Sequence, residues 1–246
     1  MTAIADIKSV LTALQKGEID LEGLFQAGSN DTFLVTLHYE PDGFTAKAVY
    51  KPQRGETPLW DFPEGSLSRR EVAAFLVSQA LGWELVPPTV YRRTGPYGPG
   101  SLQLFIDHDP EYHYFSFQPE HRARLRPVAA FDVIINNADR KGGHVLIDAN
   151  DHLWLIDHGV CFHEEDKLRT VIWDFAGQPL PDPLANDLKR FSSQLQDHED
   201  KTTHLLTQLL SAEENMAMAM RIKDLLAKGC FPAPHPDRRP YPWPPV

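Results

Sequence analysis

The chain has little cysteine and little positive charge. Its 246 residues include two cysteines, Cys161 and Cys230, and neither belongs to a C-x-x-C pair. The sequence therefore predicts neither a disulfide framework nor a thiolate zinc site, and a reducing cytoplasm is the expected location. The formal net charge is -10, which repels phosphate backbones. Nucleic acid is accordingly not an expected partner.

Long apolar runs are missing as well. Acidic side chains occur early in the N-terminal segment, which excludes a secretory signal. No later segment approaches the roughly 20 apolar residues of a membrane-spanning helix. We therefore expect a soluble protein without integral membrane association. Hydrophobic residues nevertheless make up 42% of the chain, enough to bury a sizeable core.

The first half of the chain predicts an antiparallel sheet with two helices. Apolar residues at helical spacing indicate helices over 3–16 and 68–81, and Gly82 ends the second one. Short apolar runs bounded by proline and glycine indicate strands. The predicted strands are 32–39 and 44–51, joined by a Glu-Pro-Asp-Gly turn, and then 89–93 and 101–106.

The second half predicts helices around one short hairpin. Pro127 opens a helix that stops at Asn136, and the chain is again predicted helical after Pro181. The proline-rich residues 231–246 predict an extended tail, either loose or strapped to the body by its tyrosine and tryptophan. The predicted hairpin consists of strands 144–147 and 153–156 with the turn 148–151 between them.

Polar side chains flank this hairpin at both ends. Asp139 precedes it, His144 is its first residue and Asp157 follows it. Because the two ends of a hairpin lie close together, these side chains should converge, as phosphoryl transfer requires for a base and a metal ion. Taken singly, Asp139 could simply form a turn, and Asp157 could close a loop.

A second candidate pair lies in the predicted sheet and its helix. Lys51 ends a strand and Glu71 lies on the first turn of the next helix, an order that fits the strand lysine and helix glutamate of kinases. The segment from Ser68 to Glu71 also fits an S-x-x-E capping box, which by itself would explain the glutamate. Both interpretations stay open at the level of sequence.

Two weaker candidates are segments that could contact a bound nucleotide. Gly28 and Ser29 form a small-residue loop that could approach phosphates, and the strand containing Phe105 could present backbone groups to adenine. The chain contains neither G-x-G-x-x-G nor the P-loop motif G-x-x-x-x-G-K-[ST]. It therefore matches neither an ordinary protein kinase nor a P-loop NTPase by motif.

Two motifs resemble those of a known family. Asp139-Arg140 resembles the start of a D-R-H-x-x-N catalytic loop, and Asp157-His158-Gly159 resembles a D-x-G metal loop. Both loops are those of the atypical kinases related to phosphatidylinositol 3- and 4-kinases and to the toxin kinase HipA. The segments NNADRKGGH, LIDHG and KLRTVIWDFAG resemble an uncharacterised bacterial group of phosphatidylinositol-kinase-like proteins, over nearly the whole chain.

The resemblance implies an α+β fold of the two-lobed protein-kinase-like type. Its N-lobe would hold the antiparallel sheet and a helix, and its C-lobe would be mainly helical. The whole chain, 1–246, would then be one kinase-like domain. Its expected parts are an N-lobe over 1–106, a hinge or linker over 107–118, a C-lobe over 119–230 and the tail over 231–246.

The resemblance also implies roles for the candidate residues. Lys51 would hold ATP phosphates and Glu71 would orient it, while Asp139, followed by Arg140 in the catalytic loop, would position or deprotonate the acceptor hydroxyl. Asp157 would bind the divalent ion. The expected reaction is phosphoryl transfer from ATP to a hydroxyl of an unknown protein, lipid or small-molecule acceptor.

His144 departs from the kinase pattern, because kinases place a metal-binding asparagine at this position. Mg²⁺ prefers oxygen ligands and imidazole prefers softer ions. The expected cofactors are therefore ATP and Mg²⁺, with Mn²⁺ as the alternative ion. The same departure is compatible with a catalytically silent nucleotide-binding regulator.

Two further functions stay open. One is transfer of AMP instead of phosphate, and the other, less favoured because no H-E-x-x-H motif occurs, is a metallohydrolase. The residues available to such a metal centre are Asp107, His108, Asp109, His144, Asp157, His158 and His163.

Overall fold

Five strands form the larger of two antiparallel sheets. The computed structural model describes residues 6–25 and 30–246, apart from the side chain of Asp42. The strands are β1 Glu18–Leu24, β2 Phe33–Tyr39, β3 Phe44–Pro52, β4 Thr89–Arg92 and β5 Gly100–Leu104. Their order across the sheet is β1-β2-β3-β5-β4, so β3 lies in the centre between β2 and β5.

Two helices, α1 Ile7–Lys16 and α2 Leu67–Leu81, pack against this sheet. Alternate residues of β2 and β3 point to a small core, because side chains alternate between the two faces of a strand. Val35 and Leu37 of β2 and Tyr50 of β3 are fully buried there with Leu14 of α1. The helix thus closes the apolar face that the strands create.

The rest of the chain is mainly helical. Its helices are α3 Pro119–Ala123, α4 Arg126–Ile135, α5 Asp182–Gln194, α6 Lys201–Leu209 and α7 Ala212–Lys228. The short strands β6 Val145–Ile147 and β7 Leu153–Leu155 pair as an antiparallel hairpin. Helix α2 is buried along most of its length, because it contacts both the five-stranded sheet and helices α5 and α6. It therefore joins the sheet to the helical part.

The proline-rich tail lies against the body. The carbonyl of Pro240 accepts bonds from the backbone N–H of Thr170 at 3.0 Å and from Trp173 Nε1 at 3.3 Å. The carbonyl of Pro245 accepts the N–H of Gly142 at 2.8 Å. Of the two alternatives that the sequence left open, the strapped tail is present, but proline carbonyls anchor it, and Tyr241 and Trp243 are 47% and 75% exposed.

The predicted elements are present, most with boundaries that differ by a residue or two. The first helix was predicted over 3–16 and begins at Ile7, and residues 3–5 lie outside the described residues. The turn after β2 is a short 3-10 segment, Glu40–Asp42, closed by Gly43 at a φ of 58°. Strand β1 and helix α3 were not predicted. The side chains of β1 are mostly exposed, and only Ile19 and Leu21, alternating with acidic residues, mark the strand in the sequence.

The capping-box interpretation is wrong. Ser66 occupies the N-cap position of α2, and Ser68 lies inside the helix with its hydroxyl buried and unpartnered among the described residues. The Glu71 carboxylate instead contacts Lys51 and the backbone N–H of His158. Tertiary contacts, and not a local cap, therefore hold Glu71.

Candidate active site

Three charged side chains meet at one wall of a cleft of about 640 Å³. Lys51 comes from the end of β3, Glu71 from the second turn of α2, and Asp157 from the segment after β7. Lys51 Nζ forms a close ion pair with Glu71 Oε1 and lies 2.9 Å from Asp157 Oδ1. One cation thus joins the sheet, the helix and the end of the hairpin.

The charges in this cluster stabilise one another. Burial acts to lower the pKa of Lys51, but the Asp157 and Glu71 carboxylates outweigh it and raise the pKa above its usual value. Burial acts to raise the pKa of Glu71, which is 3% exposed, but the Lys51 charge and the His158 side chain lower it to about 2. Lys51 likewise holds the pKa of Asp157 far below its usual range. All three groups are therefore charged at neutral pH.

Asp157 is held in an unfavourable backbone conformation. Its φ is 62°, in the left-handed region that non-glycine residues seldom adopt. The cost is of order 1–3 kcal/mol and persists only where surrounding structure enforces it. Its side chain is 47% exposed to the cleft. The surrounding structure therefore enforces an unfavourable backbone conformation that places this carboxylate beside Lys51.

Asp139 lines the same cleft from the loop after α4. Its backbone N–H donates to Asn137 Oδ1 at 2.9 Å, and Lys141 Nζ lies 3.5 Å from its carboxylate. Burial raises its pKa to about 6, with a further increase from the charge of Asp157 and a partial offset from Lys141. A carboxylate with a pKa near the working pH can exchange a proton, as a general base must.

Arg140 does not line the cleft, which corrects its placement among the catalytic side chains. It is fully buried, and its Nε donates to Asp132 Oδ1 at 3.0 Å. Its other nitrogens contact the Ile156 carbonyl and His158 Nε2, each at 2.9 Å. Arg140 therefore acts as a positioning residue that ties the Asp139 loop to the segment carrying Asp157.

Asp132 is the buried ion-pair partner of Arg140, and it was not singled out from the sequence. It lies within the apolar helix α4, is fully buried, and also accepts a bond from Thr170 Oγ1 at 3.0 Å. A carboxylate inside an apolar helix was the available signal, because a buried charge requires a partner.

His144 is largely buried and contacts Asp157. Its Nε2 lies 3.3 Å from Asp157 Oδ2, and its Nδ1 accepts the Lys141 N–H at 3.4 Å. Burial lowers its pKa to about 4, so the ring is neutral at pH 7. With Nδ1 as an acceptor, the ring proton lies on Nε2 and is donated to Asp157. In this state His144 orients the carboxylate.

The other predicted nucleotide contacts have mixed outcomes. Phe105 lines the cleft, but its N–H donates to the Lys47 carbonyl at 3.0 Å, so this donor is not available to adenine. Gly28 and Ser29 lie outside the described residues. Within the described ranges, no group of three or more His, Cys, Asp or Glu side chains is arranged to hold a metal ion.

The cleft mouth contains residues that the sequence did not single out. Trp60 is 92% exposed, and Lys167 Nζ lies 4.9 Å from the centre of its ring. The same ammonium lies 3.4 Å from Asp61. The loop before α2 thus meets the segment after the hairpin across the opening. A tryptophan inside a loop rich in proline and glycine was the signal available.

Sequence comparison places the chain in a bacterial family. No family model matches it. It is 38% identical over 268 aligned positions to Protein Rv2133c of Mycobacterium tuberculosis, covering 94% of this chain and 93% of that protein. The chain belongs to the family of Rv2133c. A shorter match, 34% identical over 128 positions, joins 45% of the chain to 22% of phosphatidylinositol 4-kinase gamma 4 from Oryza sativa.

Solved structures show the fold class of this Rv2133c relative. The Golgi casein kinase with Mn/ADP bound matches with a TM-score of 0.59 at 17% identity, over 98% of this chain and 80% of that one. Hydra Fam20 with sugar matches with a TM-score of 0.60 at 14% identity, over 93% of this chain and 90% of that one. The Helicobacter pylori proinflammatory kinase CtkA matches with a TM-score of 0.51 at 12% identity, over 89% of this chain and 94% of that one. These likenesses confirm the predicted α+β, kinase-like fold.

No helix among the described residues is long and apolar enough to cross a membrane.

Proposed function

We propose that the protein is an ATP-dependent phosphotransferase that moves a phosphoryl group to a hydroxyl acceptor. The observation that carries this proposal is the contact of Lys51 with both Glu71 and Asp157 in the wall of the cleft. A kinase requires this combination, since a lysine held by a helix carboxylate binds phosphates and an aspartate binds the metal ion. The kinase-like fold of the solved relatives supports the same activity.

The residues present fit a nucleotide with a divalent ion. Asp157 offers a half-exposed carboxylate, and Mg²⁺ is commonly held by one or two carboxylates together with phosphate oxygens and water. In the tautomer that carries its proton on Nδ1, His144 could add Nε2 as a ligand, and this ligand would suit Mn²⁺ better than Mg²⁺. The Golgi casein kinase structure was solved with Mn/ADP. Bound ATP and metal would supply the phosphoryl group and neutralise its developing charge.

Each side chain then has a defined task. Lys51, oriented by Glu71, binds phosphate oxygens. Asp139 accepts the proton of the acceptor hydroxyl, for which its pKa of about 6 is suited. Arg140 holds the Asp139 loop through its buried pair with Asp132. Within the proposal, 1–106 and 119–230 remain the two lobes, with 107–118 as the hinge between them and 231–246 as the tail.

Calorimetric titration of ATP, with Mg²⁺ and separately with Mn²⁺, tests the proposal. Wild type should bind, and Asp157→Ala should lose metal-dependent binding. Asp182→Ala, an exposed aspartate at the start of α5, serves as the matched control and should bind normally. Retained binding in Asp157→Ala, or no binding by wild type with either ion, would refute the site.

The fate of labelled ATP separates the possible activities. Transfer of label from the γ position supports phosphoryl transfer. Label from the α position alone would indicate AMP transfer, and binding without any turnover would indicate a silent regulator. The last outcome has a structural basis, because His144 replaces the asparagine of active kinases.

A further inference from the structure

A second cavity lies behind the segment that follows the hairpin. Its volume is about 690 Å³, within the range of small-molecule sites. Helix α7, residues 164–169 and the tail residues 230–240 form its walls. Six cationic side chains line it: Lys167, Arg169, Arg221, Lys228, Arg238 and Arg239.

The lining is positively charged in a chain whose net charge is -10. Three acidic residues, Glu164, Asp166 and Asp224, also line the cavity, half as many as the cations. Among the described residues, only two of the six cations form ion pairs: Lys167 with Asp61 and Glu165, and Arg238 with Asp166. The other four cations have no carboxylate within ion-pair distance in that part of the chain.

Arg221 is the most confined of these four. Its Nε donates to the Ile134 carbonyl at 3.0 Å and its Nη1 to the His163 carbonyl at 3.2 Å. Its Nη2 is buried and has no partner among the residues described. The guanidinium is thus fixed in place without a neutralising carboxylate, and its field adds to that of Lys228 and Arg239. A buried charge of this kind is costly unless an anion compensates it.

The cavity also has an apolar wall. Leu168, Trp173, Met220 and Pro232 contribute to its lining. Met220 is 58% exposed although it belongs to helix α7. A site that combines unpaired cations with apolar side chains suits a ligand that has an anionic group and an apolar body, since each part meets a complementary surface.

We propose that this cavity binds an organic phosphate monoester, separately from the nucleotide cleft. The phosphate would contact Lys228 and Arg239, which are exposed, with Arg221 behind them, and the organic group would lie on the apolar wall. A phosphate dianion matches several unpaired cations better than a carboxylate monoanion does. The proposal concerns binding alone and does not depend on catalysis in the cleft.

Titration with phenyl phosphate tests the proposal, with inorganic phosphate and benzoate as comparisons. Phenyl phosphate should bind saturably with a stoichiometry of one, and more tightly than inorganic phosphate or benzoate. Lys228→Gln and Arg239→Gln should each weaken binding roughly tenfold, the effect of losing one charge-assisted contact. Both residues line this cavity and not the nucleotide cleft.

Two variants control for general charge and for the cleft. Lys223→Gln removes an exposed cation of α7 that does not line the cavity, and Lys141→Gln alters the cleft alone. Neither should change the affinity for phenyl phosphate. The proposal is overturned if wild type shows no saturable binding, if Lys223→Gln weakens it equally, or if Lys141→Gln abolishes it. Equal affinity for benzoate or for inorganic phosphate would overturn the assignment of the ligand class.

Discussion

Replacing Lys51 with methionine should reverse the pH dependence of stability at the candidate site. In the wild type, Glu71 has a pKa of about 2 against an ordinary 4.5. This difference corresponds to about 3 kcal/mol of stabilisation from the ionised carboxylate. Because the folded-state pKa is the lower one, the stabilisation is complete above pH 4.5 and is lost as the pH falls towards 2.

The variant leaves two neighbouring carboxylates without their cation. Glu71 is almost fully buried beside Asp157, and an uncompensated charge of this kind costs about 3–5 kcal/mol at pH 8. Burial and repulsion should then raise the pKa of Glu71 above its ordinary value. A raised folded-state pKa means that the folded protein gains stability on protonation. The deficit relative to wild type should therefore shrink between pH 8 and pH 5.

Urea denaturation at pH 5 and pH 8, followed by tryptophan fluorescence, measures this effect. Lys47→Met is the matched control, because Lys47 is an exposed residue on the same strand and face of β3. We expect the control to differ little from wild type at either pH. The reasoning fails if Lys51→Met is no less stable than Lys47→Met at pH 8, or if its deficit is the same at both pH values.

Three further predictions concern the catalytic loop and the tail. The kcat/KM for the proposed phosphoryl transfer should rise with pH, with a midpoint at about pH 6 where Asp139 loses its proton. Lys141→Gln should move this midpoint to higher pH, because it removes a cation that lowers the pKa of Asp139. Arg140→Gln should lower the free energy of unfolding in urea by about 3–5 kcal/mol, because Asp132 loses its buried partner, whereas a purely catalytic role would leave stability unchanged. Deletion of 241–246 should reduce the kcat of the proposed reaction, because Pro245 supplies a carbonyl that binds the N–H of Gly142 in the Asp139 loop. The urea midpoint should move little, because the segment contributes to neither hydrophobic core.

Local patterns in the sequence predicted most of the fold. Helix α2 and strands β2 and β3 could be located because their apolar spacing and flanking Pro and Gly residues act over a few positions. Strand β1 was missed although Ile19 and Leu21 alternate with acidic residues, and its place in the sheet is set by pairing with β2. The order β1-β2-β3-β5-β4 likewise depends on contacts between distant segments.

The candidate site divides in the same way. The sequence by itself determined which residues could carry the chemistry, because Lys51, Asp139 and Asp157 stand in a recognisable order around a strand, a loop and a hairpin. Only the tertiary structure decided that Glu71 pairs with Lys51 instead of capping its helix, and that Arg140 is buried against Asp132 instead of facing the cleft. Burial and pairing depend on contacts between separate segments. Asp132 within its apolar helix signals that a buried partner exists, but the sequence does not say which residue that partner is.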